Sequence, residues 1–193
     1  MIHTDTTTRK KSAFTIRQMA MIAVITAITC VLAPMSIPIG PVPISLTNLV
    51  IYFGLYVLGT KNGTISYLIY LLIGLVGLPV FSGFTGGPGK LFGPTGGYLI
   101  GFIPMAIIAG FFIHVFHAKW YTSLIGMILG TIVCYALGTL WLAFQLGLNF
   151  NEALWAGVIP FIPGDLIKMI LAMLIGPVIR KQLIAANLHA DAE

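Results

Sequence analysis

The chain has 193 residues, of which 58% are hydrophobic and only 8% are charged, and its net charge is +5 at pH 7. Soluble domains carry about 25% charged residues, so this composition excludes a soluble globular protein and favours an integral helical membrane protein. The two cysteines lie within apolar runs, which excludes a disulfide-stapled secreted domain. The basic residues lie between apolar runs, where they indicate membrane topology rather than nucleic-acid binding.

The first part of the chain predicts three membrane-spanning helices. No charged residue occurs between Arg17 and Lys61, a stretch long enough for two spans of about 20 residues each. The segment APMSIPIGPVPIS divides this stretch, because proline disfavours helix at its own position and at the one before it. This places span one at about 17–35 and span two at about 45–58. The segment GTKNG ends span two, and span three follows at about 64–77.

A long glycine-rich segment, LPVFSGFTGGPGKLFGPTGG, separates spans three and four. Its glycines allow the backbone to approach a ligand closely, and its phenylalanines add apolar surface. A loop of this length in a compact bundle is typical of a lid, and the alternative is a flexible connector. The part GGPGKLFG resembles a phosphate-binding loop, but it has Phe84 in place of the first glycine and Leu91 after Lys90. It therefore does not match the motif, and the sequence predicts no ATPase activity.

The second part of the chain predicts three more spans, at about 96–115, 122–146 and 160–179. A connection that carries Asn149 and Glu152 joins spans five and six. The expected fold is therefore an all-α integral membrane protein, a bundle of six transmembrane helices that forms a single domain over the whole chain.

The basic residues predict the orientation of this bundle. If the chain crosses the membrane six times, one side of the membrane holds Arg9, Lys10, Lys11, Arg17, Lys61, Lys119, Arg180 and Lys181. Outside the spans, only Lys90 falls on the opposite side. Because basic loops stay in the cytoplasm, both termini are predicted to be cytoplasmic, with tails at residues 1–16 and 182–193.

Asp165 and Lys168 are two charged residues in the middle of span six. Counted from Arg180 at 1.5 Å per residue, they lie roughly 22 and 18 Å from the cytoplasmic boundary, within a core about 30 Å thick. Their spacing places them on one helix face, and charged groups at this depth seldom face lipid. The pattern favours an outward-open pocket in which the aspartate accepts ligand N–H groups and the lysine donates to a carbonyl. The alternatives are an ion pair that only locks span six, and proton coupling.

Small residues lie four positions apart in GGYLIGF, in GMILG and in AVITA, which holds Ala23 and Ala27. This spacing allows helices to approach closely in lipid, and it is mostly typical of internal packing. For the pair on span one, the alternative is contact with a partner protein.

Four segments, PVPISLTNL, GLPVFSGF, GPTGGYLIGF and PFIPGDLIK, occur in the order expected of one family. From span one to span six the chain resembles the biotin-specific S components of energy-coupling factor (ECF) transporters, the BioY family. The resemblance implies a six-helix S-component fold in a prokaryotic cell membrane that captures biotin from outside. It implies a transmembrane coupling subunit of the EcfT type and two cytosolic ABC ATPases as partners. It also implies that the chain is not an enzyme and has no cofactor, since biotin is the transported substrate.

The resemblance also implies roles for individual residues. The Gly-Asp-x-x-Lys segment of the family matches Gly164, Asp165 and Lys168, which are expected to contact the biotin rings. Asn48 stands where relatives often have glutamine, so an amide is kept but its reach is shorter. The loops between spans one and two and between spans three and four are expected to cover the pocket. In addition, the small-residue motif that docks the coupling subunit matches the alanine pair of span one, at positions 23 and 27.

The chemistry of biotin suits these residues. Its ureido group offers two N–H donors and a carbonyl, and its thiophane ring and chain suit Phe81, Phe92 and Tyr98. Its carboxylate needs a donor, for which Lys90 and the backbone N–H groups of the loop are candidates. The alternative function is a proton-coupled secondary transporter of a small vitamin-like solute, in which Asp165 carries a proton. Many such carriers have internal repeats, and the sequence has no clear one.

Overall fold

The computed structural model describes residues 14–186, so Arg9, Lys10, Lys11 and the outer parts of both predicted tails lie outside the described residues. Within this range the chain forms helices and one short hairpin, and a 3₁₀ turn at Ile159–Phe161 precedes the last helix. The elements are α1 (Ile16–Leu32), β1 (Ser36–Pro38), β2 (Pro43–Ser45), α2 (Thr47–Leu75), α3 (Pro88–Leu91), α4 (Gly96–Val115), α5 (Trp120–Leu146), α6 (Phe150–Gly157) and α7 (Ile162–Ala185).

The predicted bundle of six transmembrane helices is confirmed. It consists of α1, two arms of α2, α4, α5 and α7. Helix α2 is divided at Gly59, whose φ of 74° and ψ of 178° are not helical, into arms at 47–58 and 60–75. Glycine suits this position because a positive φ is unfavourable for residues with a Cβ. Spans two and three therefore meet at a single residue, and Lys61, predicted to lie in a connection, belongs to the second arm.

Length and composition alone identify three stretches in residues 14–186 as able to cross a membrane. These are α4, α5 and the apolar run from Phe150 to Ala185, while α1 is a shorter apolar helix. Helix α7 continues to Ala185, beyond the predicted end of span six near residue 179. Part of the predicted C-terminal tail is therefore helical.

Two connections have more structure than the sequence predicted. The proline-rich segment forms an antiparallel hairpin, in which Ser36 pairs with Ser45 and Ile37 with Ile44. The connection between spans five and six contains helix α6, whose start is stabilised by the backbone N–H of Asn149, which donates to Glu152 Oε2 at 3.0 Å. Both connections and the loop that carries α3 lie at one end of the bundle, called here the hairpin end. The opposite end carries Lys61, Lys119, Arg180 and Lys181.

Close packing of α4 against α5 depends on the small residues that the sequence places four apart. A Cβ added at Gly97 would collide with Trp141, and one at Gly101 would contact the backbone of Cys134. On α5, a Cβ at Gly130 would lie 2.8 Å from the backbone oxygen of Met105. These glycines therefore serve internal packing, as expected of small residues at helix contacts in lipid.

Candidate functional site

A cavity opens at the hairpin end, between β2 and helices α2, α4, α5 and α7. The space between its walls, with the open mouth included, is about 680 Å³. The walls are mostly apolar and carry a few polar groups, which is the usual design of small-ligand sites. The lining residues include Val42, Ser45, Asn48, Ser82, Thr95, Tyr98, Leu99, Phe102, Thr131, Tyr135, Phe161, Asp165 and Lys168.

Asp165 and Lys168 form an ion pair in the wall of this cavity. They lie on one face of α7, as their spacing predicted, and Lys168 Nζ is 3.0 Å from Asp165 Oδ1. Both residues are buried, with 9% and 8% of their surfaces exposed. A buried charge without a partner is strongly destabilising, so each residue depends on the other and on further hydrogen bonds.

Two residues that the sequence did not single out complete this network. The hydroxyl of Tyr135 on α5 donates to Asp165 Oδ2 at 2.6 Å. Lys168 Nζ also donates to the backbone carbonyl of Ser45 on β2, at 2.7 Å. The pair therefore links α7 to α5 on one side and to the hairpin on the other.

The network leaves hydrogen-bonding capacity for a ligand. An ammonium has three protons, and Lys168 uses two of them on described residues. A carboxylate has about four lone-pair sites, and the oxygens of Asp165 accept one hydrogen bond each. One donor and further acceptor sites therefore remain at the cavity wall.

Two hydroxyls of the cavity lining, those of Thr131 and Tyr98, are paired with hydroxyls outside the lining. Tyr52, which is fully buried, and Thr131 have their hydroxyl oxygens 2.7 Å apart. Thr131 also donates to the backbone oxygen of Met127 at 2.8 Å. The hydroxyl of Tyr98 lies 3.4 Å from that of Thr139. These contacts fix the shape of the cavity without using the charged pair.

Of the residues predicted to form the site, the structure brings four together in the cavity lining: Asn48, Tyr98, Asp165 and Lys168. Asn48 is buried, and its Oδ1 accepts a hydrogen bond from the backbone N–H of Leu49 at 3.1 Å. Contact of these residues with a ligand stays a prediction.

The other four predicted residues lie outside the lining. Phe81 is fully buried and packs edge-on against Tyr70, with ring centroids 5.6 Å apart, so it belongs to the core. Phe92 is 59% exposed. Gly164 precedes Asp165 on α7, and a Cβ added there would meet no atom within 4 Å. Lys90 lies on α3, where partial burial lowers the pKa of its ammonium.

The loop that carries α3 is attached to the bundle at several points. Trp141 Nε1 donates to the Gly93 carbonyl at 2.9 Å, and Gln145 Nε2 donates to that of Phe92 at 2.7 Å. Nearer its start, the Tyr70 hydroxyl donates to the Val80 carbonyl at 3.1 Å. Because both Ser82 and Thr95 of this segment line the cavity, these bonds favour a cover over a flexible connector.

Ala23 and Ala27 lie on a different surface. Both are exposed on α1, and they line an apolar groove whose other wall includes Ile69 and Ile73 of α2. Among the described residues they are therefore not buried against a second helix, in contrast to the glycines of α4 and α5.

No group of three or more His, Cys, Asp or Glu side chains that could hold a metal ion occurs within residues 14–186.

Comparisons with known proteins identify relatives along nearly the whole chain. The model of the BioY family matches residues 6–185. The chain is 40% identical over 166 residues to the biotin transporter BioY of Thermotoga maritima, covering 86% of this chain and 96% of that protein. It is 38% identical over 158 residues to the biotin transporter BioY2 of Lactococcus lactis, with 82% and 87% covered.

A solved structure has the same fold. It is the crystal structure of the S component for biotin from an ECF-type ABC transporter, which matches with a TM-score of 0.79 and 37% sequence identity. The match covers 86% of this chain and 91% of that one.

Proposed function

The chain belongs to the BioY family, and we propose that it binds biotin at the hairpin end of the bundle as the S component of an ECF-type ABC transporter. The observation that carries this proposal is the buried Asp165–Lys168 pair in the wall of an open cavity. The similar proteins and the similar structure are named for the same ligand. The chain acts as a transport subunit and not as an enzyme.

The ureido group of biotin matches the capacity that the ion pair leaves open. Each ureido N–H needs an acceptor, and Asp165 has lone pairs beyond those that Tyr135 and Lys168 use. The ureido carbonyl needs a donor, and the third proton of Lys168 supplies one. Because the donors and acceptors are fixed by neighbouring helices, little reorganisation is needed when the ligand arrives.

The amide of Asn48 adds a further polar group on the α2 side of the cavity. Its oxygen accepts from a backbone N–H, so its NH₂ group is the part suited to a ligand carbonyl. The thiophane ring and the alkyl chain of biotin would lie against apolar walls such as Leu99, Phe102 and Phe161, beside the ring of Tyr98. An apolar ring held by a few polar groups is how small-ligand sites usually obtain both affinity and orientation.

The carboxylate of biotin would lie toward the mouth, because the ureido end occupies the charged interior. Thr95, at the end of the α3 loop, lines the cavity. Lys90 lies on the same loop and remains the candidate cation for the carboxylate, with the backbone N–H groups of the loop as the alternative. Partial burial lowers the pKa of Lys90, and a bound carboxylate would favour its charged form.

Transport requires partners, which we propose to be a transmembrane coupling subunit and two cytosolic ATPases. Ala23 and Ala27 support a docking surface for the coupling subunit, because both are exposed and line an apolar groove. Small residues at this spacing let a second helix approach closely. The chain itself has no matching phosphate-binding loop, so ATP hydrolysis is assigned to the partner subunits.

The proposed orientation places both termini in the cytoplasm and the hairpin end outside. It is supported by Lys61, Lys119, Arg180 and Lys181, which all lie near the end of the bundle opposite the hairpin. In this orientation the cavity opens to the outer side, where biotin arrives.

Titration of the purified chain with biotin in lipid nanodiscs tests the proposed function. We expect saturable binding with one site per chain, and mass spectrometry of the untreated protein is expected to detect biotin as a co-purifying molecule. The proposal would be contradicted if protein with normal helical circular dichroism neither bound added biotin nor contained co-purified biotin.

A further inference from the structure

A second apolar space lies directly beside the cavity. It is a groove of about 610 Å³ between α5, α6 and α7. Its lining includes Ile132, Leu140, Phe150 and Leu166, whose surfaces are between 42% and 59% exposed. Exposed apolar side chains on spanning helices face lipid, since lipid tails are as apolar as leucine. The groove is therefore a lateral opening toward the hydrocarbon of the bilayer.

The groove and the cavity share part of their walls. Thr131, Tyr135 and Asp165 line both spaces. Asp165 thus lies in the wall that separates the polar site from the lipid-facing groove. A charge exposed to hydrocarbon is costly, so the direction in which its carboxylate points needs to be fixed.

We infer that Tyr135 is a positioning residue, which holds the Asp165 carboxylate toward the ligand cavity and away from the lipid-facing groove. Its hydroxyl donates to Oδ2 at 2.6 Å, while Lys168 occupies Oδ1 at 3.0 Å. With both oxygens held by groups on two different helices, the carboxylate cannot rotate without breaking a bond. Short hydrogen bonds to a carboxylate are roughly twice as strong as neutral ones, which suits this role.

Two buried tyrosines, Tyr67 and Tyr70, provide a contrast. The hydroxyl of Tyr67 donates to the Leu99 carbonyl at 2.8 Å, and that of Tyr70 donates to the Val80 carbonyl at 3.1 Å. Their acceptors are neutral, and neither tyrosine lines the cavity or the groove described here. Tyr67 is therefore a matched control: loss of its hydroxyl removes a buried hydrogen bond of similar length without touching Asp165.

A double-mutant cycle on biotin affinity tests this inference, and this readout rests on the proposed function. Tyr135→Phe keeps the ring and removes the donor, and we expect the affinity for biotin to fall about tenfold. In an Asp165→Asn background the same substitution is expected to have little further effect, because Tyr135 acts through the carboxylate. Tyr67→Phe is expected to be additive with Asp165→Asn. An effect of Tyr135→Phe that is equally large in both backgrounds would overturn the inference.

A measurement without ligand separates this inference from the proposed function. The infrared carboxylate band of Asp165 is assigned by its loss in Asp165→Asn. It is expected to shift in Tyr135→Phe and to stay in place in Tyr67→Phe. Should Tyr135→Phe fold poorly, 3-fluorotyrosine in place of Tyr135 keeps the shape, strengthens the donor and is expected to shift the band. An unshifted band refutes the positioning role, whereas failure of the wild-type chain to bind biotin refutes the proposed function alone.

Discussion

Lys168 on α7 donates a hydrogen bond of 2.7 Å to the backbone carbonyl of Ser45 on β2. The same ammonium is paired with Asp165, so one side chain connects the charged wall of the cavity to the hairpin that covers it. A ligand that draws on Lys168 is therefore expected to affect the hairpin as well. This connection gives a physical route from ligand contact at Lys168 to the hairpin.

Replacement of Lys168 by methionine tests this route. Lys168→Met removes the donor to Ser45 and leaves Asp165 without its cation, so we expect at least tenfold weaker biotin binding, about 1.4 kcal/mol. Backbone amides of the hairpin are expected to exchange hydrogen faster, as followed by mass spectrometry. Lys119→Met, at an exposed position near the opposite end, is the matched control and is expected to change neither quantity. Unchanged exchange in the hairpin would refute the connection.

Replacement of Asp165 by asparagine tests the proposed acceptor for the ureido N–H groups. We expect affinity for biotin, measured by titration calorimetry, to fall at least about tenfold, because an amide oxygen is a weaker acceptor than a carboxylate. The substitution also leaves the buried Lys168 without a counter-charge, so the melting temperature is expected to fall. Glu152→Gln removes a carboxylate from α6, outside the cavity, and is expected to leave affinity unchanged. Equal affinity of Asp165→Asn and the wild-type chain would count against ligand contact.

The fold could be predicted largely because its signals are local. Six spans follow from the lengths of the apolar runs and from the prolines and charges that end them. The Asp165–Lys168 pair is visible for the same reason, since two charges within an apolar span stand out and their spacing places them on one helix face. Helix α6 was missed because its eight residues are too short to count as a span. Its start carries a recognisable capping pattern, with Glu152 three residues after Asn149.

The remaining parts of the site depend on contacts between distant segments. Ser45 acts through its backbone carbonyl, which no side-chain pattern reveals. Tyr135 had a weak signal, because Thr131, Tyr135 and Thr139 place hydroxyls at every fourth residue of an apolar span. Phe81 belongs to a loop predicted to cover the site, yet its ring packs against Tyr70 in the core. The path of a long glycine-rich loop follows from its anchoring bonds rather than from its composition.

Substitutions on α1 test the proposed docking surface. Ala23→Leu with Ala27→Leu adds bulk to the exposed groove, so we expect normal biotin binding but loss of uptake in cells that express the whole transporter. The matched control is Val24→Leu, because Val24 is exposed on the same helix and does not line the groove. This control is expected to transport normally. Weaker binding by the double variant would instead indicate that these positions are internal packing.

Lys90 is the proposed cation for the carboxylate of biotin, and a neutral analogue isolates this contact. We expect Lys90→Met to weaken the binding of biotin by about tenfold, the effect of one charge-assisted hydrogen bond, and to leave the binding of biotinamide unchanged. Partial burial lowers the pKa of Lys90 in the free protein, and a bound carboxylate raises it, so the contribution of Lys90 is expected to be complete below the pKa of the free protein and to be lost as pH rises through the pKa of the complex. The wild-type preference for biotin over biotinamide should therefore decline in alkaline solution, and Lys90→Met should lack this pH dependence. If Lys90→Met weakens both ligands equally, the residue acts through the fold of the loop, and the carboxylate is bound by backbone N–H groups instead.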